Sequence, residues 1–221
     1  MMLPGVMIAS LEATQAKGEL KLNMNEIVDE CKTFFFAGYE TTSTLLIWTV
    51  YLLSKYQEWQ EKLREEVLKE FGGRIPGTDM LAKLKLVNMV LLEALRLDGP
   101  LIAMEREALE DMTLGNLRIP KHTHLVMPLV IMHRNKEYWG EDASEFNPLR
   151  FINGISKAAK HPNALIAFSI RPSPCICWWP TLLALILQRF SFSLEYKHAP
   201  ADFLTLQPQH NLPVVFKPLN M

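Results

Sequence analysis

The spacing of apolar residues changes along this chain, and each change predicts an element. From Phe34 to Leu53 apolar positions are nearly continuous, interrupted by Gly38, Glu40 and four threonines. Asn23 stands three positions ahead of Glu26, the spacing of a capping box, so the pattern predicts one long, largely buried helix over about 23–53. A run of roughly 20 apolar residues is also long enough to cross a bilayer, but an acid near its middle costs about 2.5–3.5 kcal/mol there. A buried helix outside lipid is therefore the expectation. Lys55 to Phe71 reads differently: charged faces surround Trp59, Leu63 and Val67 at helical spacing, and Gly72-Gly73 ends the segment. A second amphipathic helix is predicted from about Met80 to Leu97, stopping before Gly99-Pro100.

Beyond Pro100 the texture shifts. Met112 to Ile119 and His124 to Val130 read as short strands, bounded by Gly115-Asn116 and Pro120-Lys121. Residues 133–165 are rich in Pro, Asn, Gly and His and predict ordered loop with short helices. Thr181 to Arg189 predicts a short apolar helix, with strands from there to the end. The first twenty residues predict a helix followed by a turn. No repeat, low-complexity tract or composition break appears, so residues 1–221 are expected to form one domain, mainly α with small β-sheets.

Composition narrows the functions. The chain has 221 residues, 49% hydrophobic and 21% charged, enough for a sizeable core. A net charge of -1 lacks the basic excess of nucleic-acid binders, so no nucleic-acid partner is expected. Three cysteines do not make a disulfide framework and fit a reducing compartment. The opening Met-Met-Leu-Pro-Gly lacks the basic and apolar stretches of a secretory signal.

Four motifs carry chemistry. Inside the long helix, Ala37-Gly38-Tyr39-Glu40-Thr41-Thr42 places an acid beside two alcohols and a glycine. Ser and Thr side chains can open the helical ladder, and an acid at that opening makes a proton path. A packing notch with threonines bonded back to the helix explains the same residues. Glu93-Ala94-Leu95-Arg96 puts opposite charges three apart on one face, among apolar neighbours that predict burial, and a buried bridge needs a third partner. Arg150, between apolar residues in Phe146-Asn147-Pro148-Leu149-Arg150-Phe151, can be that partner, or a surface arginine. Finally, Phe168 to Cys177 (FSIRPSPCIC) precedes the last helix. A thiolate there is stabilised by a helix N-terminus and can hold haem iron. Cys175-Ile176-Cys177 as a metal or redox pair, and His122 with His124 as metal ligands on one strand face, are weaker alternatives without further ligands.

In this order the motifs resemble the cytochrome P450 family, most closely the plant clan of cytokinin hydroxylases and related terpenoid and fatty-acid oxidases. The similarity extends from about Val6 to Lys217, through CKTFFFAGYETTS, LGNLRIPKHT, MHRNKEYWGEDASEFNPLRF and LTLQPQHNLPV. The resemblance implies the C-terminal portion of the cytochrome P450 fold. It implies a haem b cofactor and electrons from NADPH through NADPH–cytochrome P450 reductase. One oxygen atom of O2 would enter an apolar small molecule. By resemblance Glu40 and Thr41 deliver protons, and Glu93, Arg96 and Arg150 form a buried structural triad. Arg106 contacts a haem propionate, Phe168 opens the ligand loop and Cys175 is the axial iron ligand. The family's setting is the cytosolic face of the endoplasmic reticulum membrane.

The chain also departs from the family pattern. Arg171 and Cys177 stand where it has glycines, Ser173 where it has a propionate-binding arginine, and Asp98 where it has an aromatic or histidine. Trp178-Trp179-Pro180 replaces part of a longer helix. Family members are more than twice this long, so the membrane anchor and substrate-lid helices are expected to be absent, and a fragment expressed as given would be cytosolic or unstable. Against the monooxygenase expected by descent stand two others: a catalytically inactive fragment, and a non-enzymatic helical interaction module.

Overall fold

The computed structural model describes residues 23–74, 81, 83–166, 178–195, 200–202, 206–208 and 214–219. The first twenty residues and the cysteine-bearing loop, 168–177, lie outside them. Two compact units divide the chain, residues 1–41 and residues 42–221.

Helix α1 runs from Met24 to Lys55 as one element. Its start is the predicted capping box: Asn23 Oδ1 accepts from the N–H groups of Asn25 and Glu26, and Glu26 Oε2 accepts from Asn23 N–H at 2.6 Å. The expectation of a largely buried helix holds only for its later turns. Leu45, Trp48, Val50, Leu52 and Leu53 are buried, whereas Phe34, Phe35, Phe36 and Tyr39 are exposed. The reason is local: the buried turns pack into the core of the second unit, to which the earlier turns do not belong. Among the described residues no helix is long and apolar enough to cross a membrane.

Helix α2 (Gln57–Phe71) follows with Trp59, Leu63, Val67 and Phe71 buried on one face, the stripe that the sequence pattern predicts. Helix α3 (Lys85–Asp98) ends before Gly99 as predicted but begins later than Met80. It buries Val87, Val90, Leu91, Ala94, Leu95 and Leu97. At about 1.5–3 kcal/mol for each large apolar side chain taken from water, this face anchors the unit.

Short antiparallel pairs come next. Strand β1 (Met104–Glu107) pairs with β4 (His124–Met127), with Arg106 opposite Leu125. Between them β2 (Met112–Leu114) and β3 (Leu117–Ile119) form a hairpin whose turn contains Gly115 at φ 59, a conformation that favours glycine. The strand predicted from His124 to Val130 stops at Met127. Pro128 removes a ladder donor, and α4 (Leu129–His133) starts immediately after it. A single turn, α5 (Lys136–Trp139), and two 3-10 turns, Pro148–Phe151 and Ile155–Lys157, complete the predicted ordered loop.

Helix α6 (Trp178–Arg189) begins three residues ahead of the predicted Thr181, and β5 (Phe190–Leu194) continues from it to pair with β8 (Val214–Pro218). Strands β6 (Pro200–Asp202) and β7 (Leu206–Pro208) form a separate pair. The core joins the later turns of α1 to α2, α3 and α6, with Leu63, Val67, Val90, Ala94, Leu183 and Leu187 at its centre. Polar ties fix α6 there. Buried Gln60 donates to the carbonyl of Phe192, Arg64 donates to the carbonyls of Leu187 and Phe190, and Gln188 donates to those of Gly72 and Arg74. The Trp179 indole N–H reaches Thr42 Oγ1 at 3.2 Å.

Gly99, where the chain leaves α3, has ordinary backbone angles, yet a Cβ there would lie 2.3 Å from the carbonyl oxygen of Leu95. Gly99→Ala should therefore cost about 1–3 kcal/mol, because backbone rather than a flexible side chain must yield. Urea unfolding checks this, and unchanged stability would contradict the close approach.

Candidate functional site

The arrangement with the densest chemistry surrounds Glu93. The third turn of α3 carries Glu93 and Arg96 on the same face, and both side chains are fully buried. Arg96 Nε and Nη2 grip the two carboxylate oxygens at 2.8 Å each. The other N–H groups of Arg96 reach backbone: Nη1 donates to the carbonyls of His133 at 2.7 Å and Ala143 at 2.5 Å, and Nη2 to that of Glu145 at 3.2 Å. All five donors of the guanidinium are used.

Glu93 is equally saturated. Its Oε1 also accepts from Asn147 N–H at 2.9 Å and from Arg150 Nε at 3.2 Å. Arg150 sits in the Pro148–Phe151 turn and spreads its remaining donors over Asp142 and the carbonyl of Trp139. The shortest of these bonds is 2.9 Å, to Asp142 Oδ2. A buried ion pair repays its desolvation only when the remaining donors and lone pairs are satisfied. Here they are. The structure thus brings Glu93, Arg96 and Arg150 together as the sequence suggests, and excludes the surface-arginine reading of Arg150, whose side chain is 6% exposed.

Sequence reasoning missed the remaining partners. Asp142 lies in the quoted segment before Arg150, and its carboxyl is held below the usual range by hydrogen bonding from Asn147, then by Arg150. Trp139 is buried beneath Arg96, whose guanidinium carbon is 5.0 Å from the ring centroid. The Trp139 indole N–H has no acceptor among the described residues. His133 is buried beside both. Its Nε2 accepts from the N–H of Ile166 at 3.1 Å, which requires a neutral ring protonated at Nδ1. Burial, reinforced by the Arg96 charge, lowers its pKa to about 4. An apolar-flanked arginine needing several partners was the available signal; carbonyl acceptors leave none in a sequence.

The other predicted site residues stand apart. Glu40 and Thr41 are neighbours on α1 and half-buried, and Thr41 Oγ1 donates back to the carbonyl of Ala37 at 2.8 Å. They belong to the first unit and the Glu93 cluster to the second. An added Cβ at Gly38 would meet nothing within 4 Å, so Gly38 is no packing notch among the described residues. Arg106 is exposed on β1 and donates to the carbonyl of Glu105. Phe168 and Cys175 lie outside the described residues, as do Arg171, Ser173 and Cys177. His122 bonds Glu107 at 2.6 Å rather than sharing a ligand with His124. Among the described residues no three of His, Cys, Asp and Glu are grouped to hold a metal ion.

Two measurements test the cluster. Arg96→Lys keeps the charge but cannot reach five acceptors, and should cost about 3 kcal/mol or more in urea unfolding, as breaking a buried pair does. For His133 the folded pKa of about 4 lies below the ordinary 6.5, so its contribution is complete above pH 6.5 and is lost as pH falls toward 4. Stability should drop by about 3 kcal/mol over that window, and His133→Gln should remove that part of the slope. An equal slope in both proteins would contradict the assignment.

Comparison with known proteins fits this geometry into a family. The cytochrome P450 family model matches residues 5–216. Cytochrome P450 709B3 of Arabidopsis thaliana is 54% identical over 98% of this chain and 43% of its own length. Secologanin synthase 1 of Catharanthus roseus is 44% identical over 98% of this chain and 44% of its own. Cytochrome P450 734A1 of Arabidopsis thaliana is 44% identical over 90% of this chain and 40% of its own. The chain spans less than half the length of these relatives. A saturated Glu93–Arg96–Arg150 cluster in a mainly α fold, with an ordered match across nearly the whole chain, leads to one assignment: the chain belongs to the cytochrome P450 family.

Proposed function

We propose that this sequence supplies the haem-thiolate half of a monooxygenase that inserts one oxygen atom of O2 into an apolar small molecule. Electrons would come from NADPH through a reductase at the cytosolic face of the endoplasmic reticulum membrane. The carrying observation is that Cys175 stands three residues ahead of α6, in a chain of the cytochrome P450 family.

Cys175, Arg106 and Phe168 would be the residues to hold haem b. A helix N-terminus favours the anionic form of a nearby thiol, so Cys175, three residues ahead of α6 in sequence, would be the residue to hold haem iron as thiolate. The exposed guanidinium of Arg106 suits a propionate, and Phe168 stands seven residues before the cysteine in sequence. When bound, haem supplies the activation of oxygen, and the protein orients and shields it. Glu40 and Thr41 would then pass protons toward the reacting site, and the Thr41 hydroxyl, donating to Ala37, keeps lone pairs to accept another donor. Glu93, Arg96 and Arg150 brace the loop that follows α5 without touching a reacting atom.

One observation favours a second reading, an inactive product. Arg171, Ser173 and Cys177 replace two glycines and an arginine of the family's ligand loop. A side chain at a position needing positive φ costs about 1–3 kcal/mol, and losing the arginine removes a propionate partner.

A carbon monoxide difference spectrum of the reduced full chain, expressed with haem supply, separates the two. The monooxygenase reading predicts a strongly red-shifted Soret band, lost in Cys175→Ser and kept in Cys177→Ser. No haem uptake, or the band of a neutral ligand, establishes the inactive reading.

A further inference from the structure

The exit of helix α3 carries a charge arrangement that the monooxygenase reading does not use. Asp98 is the last residue of α3, where the helix dipole disfavours an anion, and its side chain is only 13% exposed. Arg134, the residue closing α4, answers both problems. Its Nη2 donates to Asp98 Oδ1 and to the carbonyl of Leu97, each at 2.9 Å. Burial raises the Asp98 pKa even against Arg134, Arg96 and Lys55. The pair lies on the wall of a cleft of about 230 Å³, which Lys55, Tyr51 and Tyr56 also line.

The topology gives this pair a role. The five residues 99–103 join α3 to β1, the strand of Arg106. At their near end Arg134 holds Leu97 and Asp98, and at their far end Val130 N–H bonds the carbonyl of Ile102 at 3.3 Å. Both holds come from α4 or the residue after it, and α4 is the continuation of β4, the partner of β1. The path from α3 through β1 across to β4 and α4 therefore closes on itself at Arg134. Beside that closure, the carbonyl of His133 accepts from Arg96.

We propose that Asp98 and Arg134 form a clasp that positions the β1–β4 ladder against the end of α3, making them positioning residues for Arg106. The bearing on a cofactor rests on the role given to Arg106 above; the clasp does not.

Hydrogen exchange read by mass spectrometry on the full chain tests it. In Asp98→Asn, amides of residues 104–108 should exchange about fivefold faster while those of α2 are unchanged. The thermal midpoint should hold or rise, because a buried acid is removed. Arg134→Gln should speed exchange at 104–108 at least as much, because it also weakens the bond to the Leu97 carbonyl, but should lower the thermal midpoint by leaving Asp98 unpaired, and the double variant should exchange no faster than Arg134→Gln alone. Unchanged exchange at 104–108 in the single variants, or equal acceleration in α2, overturns the clasp. If Asp98→Asn does not fold, Arg134→Lys, which keeps the charge and loses the fork, takes its place with the same exchange expectation at 104–108 and α2. Where the unmodified chain takes up haem, Asp98→Asn should retain it less well. Faster exchange with unchanged retention overturns the link to Arg106 and leaves the clasp, whereas a chain without haem fails the monooxygenase reading alone.

Discussion

The structure depends on keeping one buried carboxylate fully occupied. Glu93 lies among buried apolar residues of α3, and its two oxygens must find enough donors to offset desolvation. Arg96, one turn on, supplies two, but then its own three remaining N–H groups need acceptors inside the protein. Those acceptors are the carbonyls of His133, Ala143 and Glu145, which lie on a segment with little regular structure. A segment that cannot form a ladder within itself is thus fixed by a helix it leaves behind in sequence. Arg150 and Asn147 complete Glu93 from the far end of the same segment.

This explains why residues 133–151 are ordered although their helices are one turn long. It also explains how burial reaches His133, whose neutral ring holds the N–H of Ile166, the last described residue before the cysteine-bearing loop. The cluster's side chains are engaged with one another and with backbone carbonyls, and they hold the described path from His133 to Arg150.

Periodicity made the helices legible. Trp59, Leu63 and Val67 fall on the buried face of α2, and the Asn23–Glu26 box opens α1 as its spacing predicts. Apolar neighbours pointed to burial of Glu93 and Arg96, but Arg150 joined them only through the family resemblance, since its own surroundings suit a surface arginine as well. What pattern could not give was burial that depends on tertiary neighbours, so Phe34 to Phe36 look like core in sequence and are exposed. Nor could it give backbone acceptors, since a carbonyl looks the same at every position. The break between β4 and α4 turned on Pro128 alone, a stop signal inside a run of strand formers. The Asp98–Arg134 pair spans residues 36 apart and could be found only once both helix ends were placed.

Glu93 and Arg150, in contact at 3.2 Å, act as one unit across the segment between them. A double-mutant cycle with Glu93→Gln and Arg150→Met, read by urea unfolding, tests it most directly. Contacting buried charges should couple by at least about 1 kcal/mol, so that the second substitution costs less once the first is present. Additivity within about 0.3 kcal/mol would mean that the two side chains act independently, and the account of how this segment is held would fail.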